Sequence, residues 1–118
     1  MKEQPALTCH VDTAISVIGG KLKPWLLWHL HDGVRRYGEL RRMTPGITGK
    51  MLTQQLRELE RDGILERTVY DQKVPKVEYS FTAYGETLRP VLKSLCDWGK
   101  KHGEHRATAS ESEDFQAK

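Results

Sequence analysis

Residues 48–63 read TGKMLTQQLRELERDG, and this stretch decides the fold. At about 100° per residue Leu52, Leu56 and Leu59 fall in one narrow wedge, while Lys50, Gln54, Arg57 and Arg61 gather on the opposite side. One face is built to pack and the other to meet an anion. Arg57 and Arg61 stand four residues apart, where like charges repel, so stability alone does not account for the pair. Thr48 can cap the helix by accepting a hydrogen bond from a free backbone N–H, and Gly63 can close it.

Working outward, Tyr37, Leu40 and Met43 share one side of a short helix over residues 37–43, with Arg41 and Arg42 on the other side and Pro45-Gly46 as its stop. Two helices joined by a tight, Gly-containing turn make a helix-turn-helix. After Gly63 the pattern becomes strand-like. Residues 64–70 and 77–82 are rich in β-branched and aromatic side chains, and residues 71–76, with Lys73, Pro75 and Lys76, join them as a hairpin. A hairpin directly after a helix-turn-helix is the winged arrangement. The expected fold class is therefore mainly α with a small β-hairpin, a winged helix-turn-helix with a terminal dimerisation helix.

Two further helices precede this unit. Val11, Ile15 and Ile18 mark a short amphipathic helix stopped by Gly19-Gly20. Pro24 opens a second, and Trp25, Leu26, Leu27, Trp28 and Leu30 make it apolar nearly all round, the buried centre of the domain. A last helix over about residues 83–103 gathers Leu88, Val91, Leu92, Leu95 and Trp98 on one broad face. That stripe is wider than a small domain needs, which reads as a dimer interface. Pro90 inside the helix removes a backbone bond at a cost of roughly 3 kcal/mol, which packing must offset. Residues 1–8 are expected to form a flexible arm, residues 9–103 the domain, and residues 104–118, which lack periodicity, a disordered tail.

With 118 residues and 37% hydrophobic content the chain can fill one modest core. The net charge of +3 includes an acidic tail, so the remainder is more basic and suits a polyanion. No apolar run approaches a membrane span and no secretory core is present, so a cytoplasmic protein without a membrane partner is expected. Cys9 and Cys96 form no CxxC pair. His102 and His105 could join Cys9 or His10 around zinc, but no four-ligand set exists, so neither metal nor cofactor is assigned. No phosphate-cradling Gly loop and no nucleophile with an evident base is found, so no enzyme activity is expected.

Together these segments resemble the HxlR family of bacterial winged-helix transcriptional regulators, relatives of the MarR type. The resemblance rests on Cys9, on IGGK at residues 18–21, GELRR at 38–42 and PGITGKMLTQQLRELERDGILER at 45–67, and on PKVEYSFTAYG at 75–85 and LRPVLKSLCDWG at 88–99. It implies a homodimer on double-stranded operator DNA, a recognition helix over residues 48–62 and a wing over residues 71–76. It also implies that the last helix and the N-terminal region form the dimer interface. One departure is Leu22, where the family usually carries Trp; Trp25 follows three residues on and can fill the same cavity.

A recognition helix enters the major groove, where Arg bonds guanine O6 and N7 and Gln bonds adenine N6 and N7. Gln54 and Arg57 are the candidate base readers. Lys50 and Arg61, near the helix ends, together with Thr48, Arg41 and Arg42, are assigned to the DNA backbone, which fixes register without reading sequence. Lys73 and Lys76 are assigned to the minor groove or its phosphates. The plainer alternatives are a solvated helix face with pairs such as Arg57 with Glu60, and a charged hairpin tip that serves solubility. Cys9 lies just before the first helix, whose positive end favours a thiolate, so an oxidant or electrophile effector can act there; the plain alternative is a small buried thiol. The resemblance points the same way, since several members sense such compounds through a cysteine at this place. Cys96, at the edge of the last stripe, is assigned to packing. The rival functions are a winged-helix protein-interaction module and a metal-responsive repressor.

Overall fold

Leu52, Leu56 and Leu59 are fully buried, as are Leu26, Leu27, Leu30 and Leu40, and these seven leucines are the centre about which the elements assemble. The computed structural model describes residues 10–117, and side chains as far as residue 109. The elements are α1 (Val11–Ile18), α2 (Leu22–His29), β1 (Arg35–Arg36), α3 (Tyr37–Met43) and α4 (Gly49–Arg61). The strands β2 (Leu65–Tyr70) and β3 (Lys76–Phe81) follow, then a 3-10 turn (Gly85–Leu88) and α5 (Arg89–Ala117).

The recognition segment forms for the local reasons its sequence supplies. Thr48 Oγ1 accepts from the Met51 N–H at 3.1 Å. At the other end Gly63 adopts φ +78°. Its N–H reaches Glu60 O at 2.9 Å, and the next N–H, from Ile64, reaches Leu59 O at 2.9 Å. That pair of bonds is a Schellman closure, and Ile64, the residue it turns inward, is buried.

The hairpin pairs in register from Leu65 with Phe81 to Tyr70 with Lys76. Thr82 ties its base to the end of α4: the hydroxyl donates to Gly63 O at 2.6 Å and accepts from the Gly85 N–H at 2.8 Å. Gly85 sits so close that a Cβ there would lie 2.0 Å from Ile64 O. A side chain at residue 85 would push the hairpin away from the helix it follows.

The strand β1 has no expectation in the sequence. Arg35 and Arg36 pair with Tyr79 and Glu78, which completes a three-stranded antiparallel sheet ordered β1-β3-β2. Two residues carry no alternation, so only the paired partner reveals them as a strand. Within α2, Leu26 and Leu27 are buried as expected, but Trp25 is 43% exposed. Lys23, by contrast, is buried, along with Leu22.

The last helix differs from expectation at both ends. It begins at Arg89, so Pro90 occupies the first turn, where its missing N–H has no helical acceptor to lose and no kink follows. It also runs to Ala117, 29 residues in all, through Gly103 and most of the tail that lacks periodicity in sequence. The described residues fall into two compact units that divide between Glu86 and Thr87. In the second, Leu92 is buried, whereas Val91, Leu95 and Trp98 are 44%, 51% and 64% exposed. The N-terminal arm, residues 1–8, lies outside the described residues, as does Cys9. Among the described residues no helix is long and apolar enough to cross a membrane.

Candidate nucleic-acid interface

The outward face of α4 carries Lys50, Gln54, Arg57 and Arg61, all exposed, on the side opposite the buried leucines. Met51, 47% exposed at the first turn, joins them and was not among the residues singled out in the sequence. With Tyr37, Gly49, Thr53 and Glu58 the four polar residues line an open concavity of about 610 Å3. Arg57, Tyr37 and Thr53 also line a smaller depression shared with Glu60, Arg67, Val77 and Tyr79 of the sheet side. Arg57 therefore stands where the helix meets the hairpin.

Two contacts hold α3 against α4 and fix this face. Tyr37 Oη donates to Gly49 O at 3.3 Å and lies 3.2 Å from Thr53 Oγ1. A Cβ built at Gly49 would lie 2.9 Å from an Arg41 guanidinium nitrogen, which is how near Arg41 comes to the first turn of α4. Arg41 thus sits beside the positive end of α4, a doubly electropositive spot suited to a phosphate. Arg42 is exposed on the same short helix.

The charges on α4 are not equally free. Arg61 Nε lies 3.7 Å from Asp62 Oδ1. The Arg57–Glu60 pair of the plainer alternative does not form; Glu60 instead faces Arg67 Nε of β2 at 3.8 Å. Among the described residues Arg57 has no ion-pair partner. Arg67 is a basic residue of this region absent from the sequence candidates; it shares the β2 face of the buried Leu65 and pairs with the buried Tyr79, and no local pattern sets it apart. Glu58, the one acidic residue lining the concavity, meets the buried Lys23 Nζ at 2.6 Å and accepts from Gln54 Nε2 at 3.4 Å. The Lys23 hydrogen bond is the main reason its carboxyl is held below the usual carboxylate range.

The two wing lysines differ. Lys76 folds back over the Tyr70 ring at 4.4 Å and pairs with Glu78 at 3.4 Å, so its charge is already engaged. The same Glu78, through a hydrogen bond, pushes the Tyr70 phenol up. Lys73 is exposed in the turn beside Val74, which is 76% exposed. Cys96 is an exposed free thiol, so its assignment to packing does not hold within this chain. Among the described residues no three His, Cys, Asp or Glu side chains cluster as a metal site.

Residues 17–107 match the family described as HxlR-like helix-turn-helix. The uncharacterized HTH-type transcriptional regulator YdeP of Bacillus subtilis (strain 168) is 55% identical over 94 residues, which cover 80% of this chain and 73% of YdeP. Among solved structures, the redox regulator HypR in its oxidized form superposes with a TM-score of 0.75 at 52% identity, covering 79% of this chain and 96% of HypR. HypR in its reduced form superposes with a TM-score of 0.80 at 47% identity, covering 85% and 99%.

Proposed function

The chain belongs to the HxlR-like helix-turn-helix family of transcriptional regulators, and from that premise we propose that it is a homodimer reading a two-fold operator through Gln54 and Arg57. The observation that carries this reading is the polarity of α4: its three leucines are fully buried, while Lys50, Gln54, Arg57 and Arg61 are exposed together beside the hairpin. Two such helices related by a dyad enter successive major grooves about 34 to 36 Å apart. Gln54 and Arg57 meet base edges. Lys50, Arg61, Thr48, Arg41 and Arg42 meet the backbone, and the wing reaches the flanking minor groove through Lys73 more than Lys76.

The dimer reading is supported by apolar surface that one chain leaves open: Val11 and Ile15 on α1, and Val91, Leu95 and Trp98 on α5. The test is a binding assay against salt. Arg57→Ala should cost about 1–3 kcal/mol at a selected site and far less on random DNA, while log K falls steeply with log salt. Binding indifferent to both would refute the reading.

The effector follows from the likeness to HypR, a redox regulator seen in oxidized and reduced forms. In this chain the sensing role is assigned to the Cys9 thiol, which precedes α1 in sequence, acted on by an oxidant or electrophile. Cys9→Ser should abolish the response of operator binding to diamide; an unchanged response removes Cys9 from the mechanism.

A further inference from the structure

A carboxylate in an anion-binding face is out of place unless it has work to do there. Glu58 lines the same concavity as Lys50, Gln54, Arg57 and Arg61, one helical turn beyond Gln54. Its two oxygens have different partners. Oε1 meets Lys23 Nζ of α2 at 2.6 Å, and Oε2 meets Gln54 Nε2 at 3.4 Å. The Lys23 side chain is only 9% exposed and that of Glu58 27%, so this ion pair is largely shielded from solvent.

We propose that Lys23 and Glu58 are positioning residues for Gln54, holding its amide so that the oxygen, not the nitrogen, is turned to the major groove and adenine is chosen over guanine. The inference rests on the reading of Gln54 as a base contact. An ammonium only donates, so Lys23 needs an acceptor and claims one carboxylate oxygen. The second oxygen also only accepts, so the Gln54 amide must offer it N–H rather than C=O. That leaves Gln54 with Oε1 and one remaining N–H to present to a base. Adenine offers N6–H2 as donor and N7 as acceptor, which complements this set. Guanine offers two acceptors, O6 and N7, and meets the amide oxygen with repulsion. Lys23 also neutralises Glu58, so phosphates nearby do not meet an uncompensated negative charge.

Glu58→Gln makes the logic testable, because it keeps the shape and changes one donor. Lys23 still requires the oxygen of the new amide, so its nitrogen must face Gln54, and the Gln54 amide turns over. Preferred sites are first selected by the full-length protein from random-sequence duplex DNA. Gln54→Ala then identifies the base position that Gln54 reads. At that position the wild type should prefer adenine, and Glu58→Gln should lower the adenine-to-guanine ratio about tenfold or more, with other positions unchanged. Mere removal of a negative charge would raise affinity for all sequences alike, and that result overturns the proposal. So does an unaltered ratio in Glu58→Gln when Gln54→Ala has abolished the preference, in which case Gln54 remains a base reader. Indifference to Gln54→Ala overturns the reading and the proposal together.

Lys23→Met should relax the same position and Lys23→Arg should retain the preference. Independently of any variant, NMR of the wild-type protein should show contacts between the Gln54 side-chain amide protons and the Glu58 Hγ protons. Their absence overturns the positioning role.

Discussion

The helices α4 and α5 are both amphipathic in sequence, yet they end in opposite states. Every leucine of α4 is fully buried, whereas α5 buries Leu92 and leaves Val91, Leu95 and Trp98 about half exposed or more. The polar faces differ as well: α4 gathers Lys50, Arg57 and Arg61, of which Arg61 alone has an ion-pair partner among the described residues, while α5 carries a solvent-facing pair, Lys93 with Asp97 at 3.2 Å. A helix whose apolar side is satisfied inside the chain has only its polar side left for recognition. One whose apolar side stays open has its apolar side left for association. In this way the division between reading DNA and building the proposed dimer is written into which face each helix leaves uncovered.

The sharpest way to break this contrast is to damage the satisfied side. Leu56→Ala should lower stability by about 2–5 kcal/mol, through lost burial and the cavity left behind, read as a shift in the urea midpoint. Trp98→Ala should do the reverse. Trp98 stacks only on His102 in the described chain, with ring centroids 5.0 Å apart, so the fold should change little. Dimer dissociation should rise by roughly 2 kcal/mol or more if the indole anchors the interface, measured by sedimentation against concentration. A Trp98→Ala protein that stays dimeric at low concentration would show that α5 is not the dimer element.

The same distinction between held and open groups recurs in the wing. Lys73→Ala should lessen the salt dependence of operator binding by about one counterion, because its ammonium is free to reach a phosphate. Lys76→Ala should hardly alter that slope, since Lys76 is already committed to Tyr70 and Glu78. Equal slopes for the two variants would mean that DNA pulls Lys76 out of its contacts.

Most of the α4 and hairpin architecture was legible because its signals are local. Thr48 and Gly63 mark the helix ends, period changes from helical to alternating at Ile64, and residues 37–43 form the helix read from Tyr37, Leu40 and Met43. What escaped depends on contacts far apart in sequence. Arg35 and Arg36 become a strand only because β3 passes beside them. Lys23 reads as a surface residue until Glu58, thirty-five positions later, is brought within 2.6 Å. Lys73 and Lys76 look equivalent in sequence and differ through Tyr70, which β2 brings opposite Lys76, and Glu78, two residues along its own strand. In sequence Pro90 reads as an interior residue of a longer helix, whereas a proline in the first turn favours a helix beginning there, and α5 starts at Arg89.

The satisfied unit has one loose end, and it gives the smallest effect expected here. His29 of α2 has its Nε2 buried with no hydrogen-bond partner among the described residues. Burial is the main cause that lowers its pKa; Arg35 and His31 nearby push the same way, while the Met43 backbone opposes them. A histidine whose folded pKa lies below its unfolded value binds more protons when unfolded, so stability is full above the unfolded value of about 6.5 and declines as pH falls below it. Melting temperature should therefore drop between pH 7.5 and 5.5. His29→Phe, which keeps an aromatic ring beside Trp25 and cannot titrate, should flatten part of that slope. An unchanged slope would mean that the unpaired nitrogen finds water and that the acid sensitivity arises from other groups.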